Sequence, residues 1–100
     1  MGLHLNRDNY QTYRAYRALL DDKLTELALY AKELCPEAVV EVGATSYEDE
    51  DGHVDIFPPL GLPEEEEERV ELAVAARAGD IFEETGLFIL CAALDRPEKT

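Results

Sequence analysis

Between Pro36 and Pro59 the chain has few ways to fold. Pro36 disfavours helix in the residue before it, and Pro58-Pro59 cannot donate to a strand ladder. Inside these limits lie Val39-Val40-Glu41-Val42 and His53-Val54-Asp55-Ile56-Phe57, joined through the acidic stretch Glu48-Asp49-Glu50-Asp51-Gly52. Two runs rich in β-branched residues around an Asp-Gly pair read as a β-hairpin with an acidic tip.

The hydrophobic pattern discriminates between two ways of closing that hairpin. A two-residue turn at Asp51-Gly52 pairs Glu50 with His53 and puts Val40 and Val42 on the face of His53 and Asp55. A three-residue loop, Glu50-Asp51-Gly52, pairs Asp49 with His53 instead. Val40, Val42, Ala44, Val54 and Ile56 then share one face, and Gly52 supplies a left-handed bulge residue. Because a slip of one residue exchanges the faces, the apolar pattern selects the three-residue loop. The opposite face then carries Glu41, Gly43, Thr45, Tyr47, His53, Asp55 and Phe57, with Tyr47 across from Asp55.

Two helical stripes flank the hairpin. The first helix is expected to start near Asp8 or Asn9, either of which can cap it, and to end at Cys35. Tyr13, Tyr16, Leu20, Leu24, Leu27, Ala31 and Leu34 recur along it at helical spacing. At about 27 residues it would span about 40 Å, so one end is expected to project past the sheet or to pack on a second chain. Pro63 suits the first turn of the second helix, and Glu64 to Glu68 favour the positive end of its dipole. Its stripe is Val70, Val74, Ala78 and Ile81, with Ala73 and Phe82 beside it. Gly79 falls within the pattern at a cost of about 1 kcal/mol relative to alanine, either tolerated or marking a short break. Gly86 is expected to close the helix as a left-handed cap. Leu87 to Leu94 is then a continuous apolar run, a strand that wants cover on both faces.

The chain is therefore expected to form one α+β domain over residues 1–100, with 1–7 and 95–100 frayed. Its order is α-β-β-α-β, and its three-stranded mixed sheet is expected in the order 2-1-3 with two long helices on one face. A crossover through the second helix makes the third strand parallel to the second. The third strand is then an apolar edge, a liability in a monomer. A homodimer is expected in consequence, formed through that strand or through the long first helix.

Charge narrows the partners. The net charge is −14, and residues 1–36, with five acids and five bases, contribute none of it. Such a surface repels phosphate backbones, so nucleic acid is not an expected partner. The basic-aromatic group Arg7, Arg14, Arg17, Tyr10, Tyr13 and Tyr16 reads as surface and packing residues. The longest apolar run is far short of the roughly 20 residues of a membrane span, and the first residues lack the apolar core of a signal peptide. The cytoplasm is the expected compartment. Cys35 and Cys91 are too few for a disulfide framework and read as small buried hydrophobes.

The chemistry-bearing motifs fail when counted. With Gly52 as the sixth residue of a calcium loop, the first and twelfth places hold Tyr47 and Pro58, not the acid and glutamate required. Minimal nucleotidyltransferases share the element order and pair a Gly-Ser with a downstream Asp-x-Asp; the matching residues here, Gly43-Ala44 and His53-Val54-Asp55, lack the serine and one carboxylate. Two His and two Cys scattered over the chain do not make a zinc site. No metal or cofactor is expected.

What is left is a polar hairpin face, Glu41, Tyr47, His53 and Asp55, where an imidazole beside a carboxylate could bind a small molecule or act as an acid-base pair. The leading expectation is a small acidic interaction or regulatory module without catalysis, acting as a dimer, with a further protein as a second candidate partner. A ligand-binding or weakly enzymatic site on the hairpin face is one alternative. An acidic mimic of nucleic acid, with the tip and Glu64 to Glu68 aligned against a basic protein, is another.

Overall fold

The two proline-bounded helices and the strands between them are all present in a computed structural model, which describes residues 13–44 and 49–95. The elements are α1 (Tyr13–Leu34), β1 (Val39–Gly43), β2 (Gly52–Phe57), α2 (Glu64–Thr85) and β3 (Ile89–Ala93). The expected helix start at Asp8 or Asn9 lies outside the described residues, as do Tyr47 and the frayed ends apart from Asp95.

In α1 the buried side chains are Tyr16, Leu20, Leu24, Leu27 and Ala31. Each fully buried leucine contributes about 1.5–3 kcal/mol relative to an exposed one. Tyr13 and Leu34, at the two ends of the expected stripe, are exposed. At the C-terminal end the Cys35 N–H still donates to the Ala31 carbonyl at 2.9 Å. Lys32 Nζ donates to the carbonyls of Pro36 and Ala38 at 3.0 and 2.7 Å, fastening the turn into β1.

The second helix buries Val70, Val74, Ala78 and Ile81 and runs unbroken through Gly79. Pro63 precedes its first turn in extended conformation, and the Pro63 carbonyl accepts from the N–H groups of Glu66 and Glu67 at 2.9 and 3.1 Å. Gly86 adopts φ 82° and donates its N–H to Phe82 O at 2.7 Å, the left-handed closure that its lack of a Cβ permits. The helices lie side by side. Arg77 bridges them, 3.3 Å from Glu26 Oε2 and 4.3 Å above the Tyr30 ring.

The sheet order is β1-β2-β3, not the 2-1-3 expected. The parallel pairing of β3 with β2 is present, with Val54 opposite Cys91, but β3 lies directly beside β2. The reason is the position of α1, which packs over β1 and β2 while α2 packs over β3. To reach the far side of β1, the crossover helix would need the place that α1 fills.

The hairpin register also differs. Gly43 faces His53, Glu41 faces Asp55 and Val42 faces Val54, so Gly43 takes the place expected of Asp49, and Glu41 that expected of Tyr47. The shift is by an even number of residues, so the two faces keep their membership. The connection is not a three-residue loop, since the pairing closes at Gly43 and His53. Gly52 is not a left-handed bulge residue either, since the positive φ values among the described glycines belong to Gly61 and Gly86. It opens β2 beneath α1. A Cβ there would lie 3.0 Å from Gly43 O, 3.3 Å from Leu24 Cδ2 and 3.4 Å from Leu20 Cδ1. Close approach, not turn geometry, requires this glycine.

One core joins the stripes of both helices to Ala38, Val54, Ile56, Leu87 and Ile89. Both helices therefore lie on the Val54/Ile56 face of the sheet, and the face bearing His53 and Asp55 looks away from them.

Candidate functional site

On the helix-free face, Glu41 of β1 and Asp55 of β2 stand directly across from one another. His53 stands two residues before Asp55, its Nε2 3.9 Å from Asp55 Oδ2, which is beyond hydrogen-bond distance. The imidazole lies over Gly43, where a Cβ would come within 2.6 Å of Nε2. Gly43 thus leaves room for the ring, which is mostly covered at 17% side-chain exposure. The structure brings together Glu41, His53 and Asp55 of the expected site, and Tyr47 lies outside the described residues. Two carboxylates facing each other and an imidazole at 3.9 Å form a polar surface with a local excess of negative charge. Among the described residues no group of three or more His, Cys, Asp and Glu could hold a metal ion, and no helix is long and apolar enough to cross a membrane.

The acidic tip is not the solvated turn its composition suggests. Glu50 is 2% exposed. Asp51 ties three elements together: its Oδ1 accepts from Tyr16 Oη of α1 at 2.5 Å, and its Oδ2 accepts from the Phe88 N–H at 2.8 Å. The Asp51 N–H in turn donates to Phe88 O at 2.7 Å. Asp51 therefore anchors the start of β3. Among the described residues, the free display of tip acids that nucleic-acid mimicry calls for comes down to Asp49.

That anchoring exposes a feature with no motif in the sequence. β3 is an edge strand. The Leu94 N–H donates to Ile56 O at 2.8 Å, which with the parallel register places the even-numbered residues of β3 in the ladder with β2. The N–H and C=O groups of Ile89 and Cys91 consequently point out of the sheet. Ala93 points out as well, and its N–H is met by Glu71 Oε2 of α2 at 3.1 Å.

Beside this edge runs a groove of about 770 Å³, with Phe88 to Cys91 as one wall and Ala75, Ala78, Gly79 and Phe82 of α2 as the other. The α2 wall is low because its residues are small. A Cβ built on Gly79 would meet nothing within 4 Å. Phe82 and Phe88 close one end edge to face, their centroids 6.4 Å apart and planes at 71°. Phe82, Phe88 and Leu90 stay 42%, 37% and 41% exposed, so among the described residues nothing covers the outer side of β3.

The groove is apolar along its length, with acids at its Phe88 end and a separate acidic depression at the other end of β3. Asp49 and Asp51 line the groove beside Phe88. Past Cys91, at the end of β3, Glu64, Glu65, Glu67, Glu68 and Glu71 line that second depression together with Ala93. The Cys91 thiol is pushed up from 9.0 to about 12, first by burial and then by the carboxylates of Asp55 and Glu71. It stays protonated and acts as a small hydrophobe.

Sequence reasoning found β3 as an apolar edge but not the groove. The available signal was Gly79, which was readable only as a cost within the α2 pattern. Comparison with protein families, with curated proteins and with solved structures finds no match to this chain.

Proposed function

We propose that this chain is a non-catalytic interaction module that completes its sheet with an extended strand supplied by another protein chain, taken up along β3. One observation carries the reading: outward-pointing backbone groups at Ile89 and Cys91 lie beside an apolar groove of about 770 Å³. A strand laid there would gain main-chain hydrogen bonds from the edge and side-chain burial against α2, the two ingredients of recognition by strand addition. A second copy pairing β3 with β3 is one way to meet the same demand.

Amide hydrogen exchange, with light scattering to fix the oligomeric state, tests the reading. In the free monomer, the Ile89 and Cys91 amides exchange faster than those of Leu90, Ala92 and Leu94, which belong to the ladder. Slow exchange at Ile89 and Cys91 in a demonstrated monomer would show the edge to be covered from within, and the reading would fail. The variant Cys91→Pro removes an N–H that lies outside the ladder, a place where a proline is tolerated; it should keep the fold and lose strand capture.

A further inference from the structure

The strand-addition reading leaves the occupant open, and the charge around the groove selects it. We infer that the partner is an extended apolar segment of a different protein, carrying Lys or Arg at both ends and about five residues between them. This rests on the strand-addition reading and adds to it the chemistry of the strand.

The spacing comes from the strand itself. Five residues of β3, Ile89 to Ala93, cover about 17 Å. Asp49 and Asp51 mark the start of that distance and Glu71, with the glutamates at the start of α2, marks its end. A bound strand of the same length has its own ends beside these carboxylates, whichever way it runs. Between the ends, alternate side chains of the segment point toward α2, where Ala75, Ala78 and Gly79 leave space. Those positions call for large apolar residues.

The same charges disfavour a second copy. Antiparallel pairing of β3 with β3 would set the Asp49/Asp51 end of one chain against the Glu64 to Glu71 end of the other. Each chain also brings a net charge of −14. Like charges juxtaposed across an interface suppress the wrong partner. The two occupants therefore respond oppositely to salt: screening weakens attraction to a basic segment and relieves repulsion between copies.

The test uses the full chain and three blocked peptides. The first is acetyl-Arg-Lys-Val-Leu-Val-Phe-Val-Lys-Arg-amide; the others replace its four basic residues with Gln or with Glu. Titration at about 0.05 M and about 0.5 M salt spans strong and weak screening. The basic peptide is expected to bind about tenfold or more tightly than the Gln peptide at low salt, and to lose most of that advantage at high salt. The Glu peptide should not bind. Binding should slow exchange at the Ile89 and Cys91 amides.

General attraction to an acidic protein is separated by two variants that leave the charge unchanged. Cys91→Pro blocks the edge, and Gly79→Leu fills the groove from α2; each should abolish binding of the basic peptide. Binding that survives both would overturn the docking site and the strand-addition reading with it. Equal affinity for the basic and Gln peptides, with exchange slowed at Ile89 and Cys91, would overturn the inference and leave the reading intact. A dimer that protects those amides in the free chain would do the same, in favour of a second copy.

Discussion

Gly79→Ala is the sharpest test of how α2 is built. Glycine in a helix interior is less favourable than alanine by about 0.8–1.0 kcal/mol, because its backbone loses more freedom on folding. Whether the gain is realised depends on space for the new methyl and on the backbone conformation. At Gly79 a Cβ meets nothing within 4 Å, the residue is exposed, and helix continues for six further residues to Thr85. Nothing opposes the propensity term, so the variant should be more stable by about 0.8 kcal/mol. For a domain of this size, 1 kcal/mol moves the thermal midpoint by about 4–8 °C, which makes the expected rise about 3–6 °C. Thermal and urea unfolding followed by circular dichroism would measure it, and an unchanged urea slope would show that the native state had not been altered. An unchanged or lowered midpoint would refute the reasoning. It would mean that α2 breaks at Gly79, or that the open space beside it is filled by something a methyl displaces.

Four further outcomes are expected. Gly52→Ala should destabilise by about 1–3 kcal/mol in urea unfolding, since its Cβ would press on Gly43 O and on the Leu20 and Leu24 side chains; a loss below about 0.5 kcal/mol would show that α1 can lift away. Asp51→Ala should cost about 2–4 kcal/mol, because it removes the acceptor of the Tyr16 O–H and of the Phe88 N–H; Asp51→Asn, which keeps one acceptor oxygen, should recover part of this. The Cys91 thiol, held at about 12, should alkylate at pH 8 about a thousandfold more slowly than an unfolded-chain thiol. The raised value also sets a sign: the unfolded thiol ionises above about pH 9 while the folded one does not. The stability it contributes is therefore full below pH 9 and lost as pH rises toward 12, so the urea midpoint of the parent should fall relative to that of Cys91→Ala over this range.

The helices were legible in the sequence because each buries a single stripe. Val70, Val74, Ala78 and Ile81 satisfy helical spacing and nothing else, and all are buried in α2. The hairpin faces were legible for a similar reason: Val40 and Val42 share parity with Val54 and Ile56 once the register is even. Parity is all that this pattern fixes. Any even shift keeps the valines together, so the register was decided by contacts that have no local signature: Gly52 beneath Leu20 and Leu24, and Asp51 held by Tyr16 and Phe88. The strand order escaped for a different reason. The apolar run from Leu87 to Leu94 calls for cover without saying from which neighbour, and the choice lay with the space that α1 occupies. Of the polar face, Glu41, His53 and Asp55 were found together because strand alternation puts them there. The groove could not be read, since its walls come from α2 and β3 and are made of alanine, glycine and phenylalanine, which carry no chemical mark.

An apolar edge strand in a chain of net charge −14 resolves a conflict that composition alone leaves standing. The edge invites pairing with any exposed strand, and proteins that keep such an edge need a means of refusing the wrong ones. Proline, a bulge or an inward lysine on β3 would refuse every strand alike. Acids at the two ends of β3 would act differently, because they leave the hydrogen-bonding edge at Ile89 and Cys91 intact. On the proposed reading they would work through the flanks of the incoming strand, not through its backbone. On this account neutralising Glu64 to Glu68 has two consequences with one cause: self-association through β3 becomes easier, and discrimination between basic and neutral strands is reduced. A variant with those five glutamates changed to glutamine should therefore show a concentration-dependent rise in mass by light scattering at low salt, larger than any rise the parent shows. If neutralisation leaves the mass unchanged while Cys91 and Ile89 still exchange freely, charge is not what keeps the copies apart, and the geometry of the groove must be doing so.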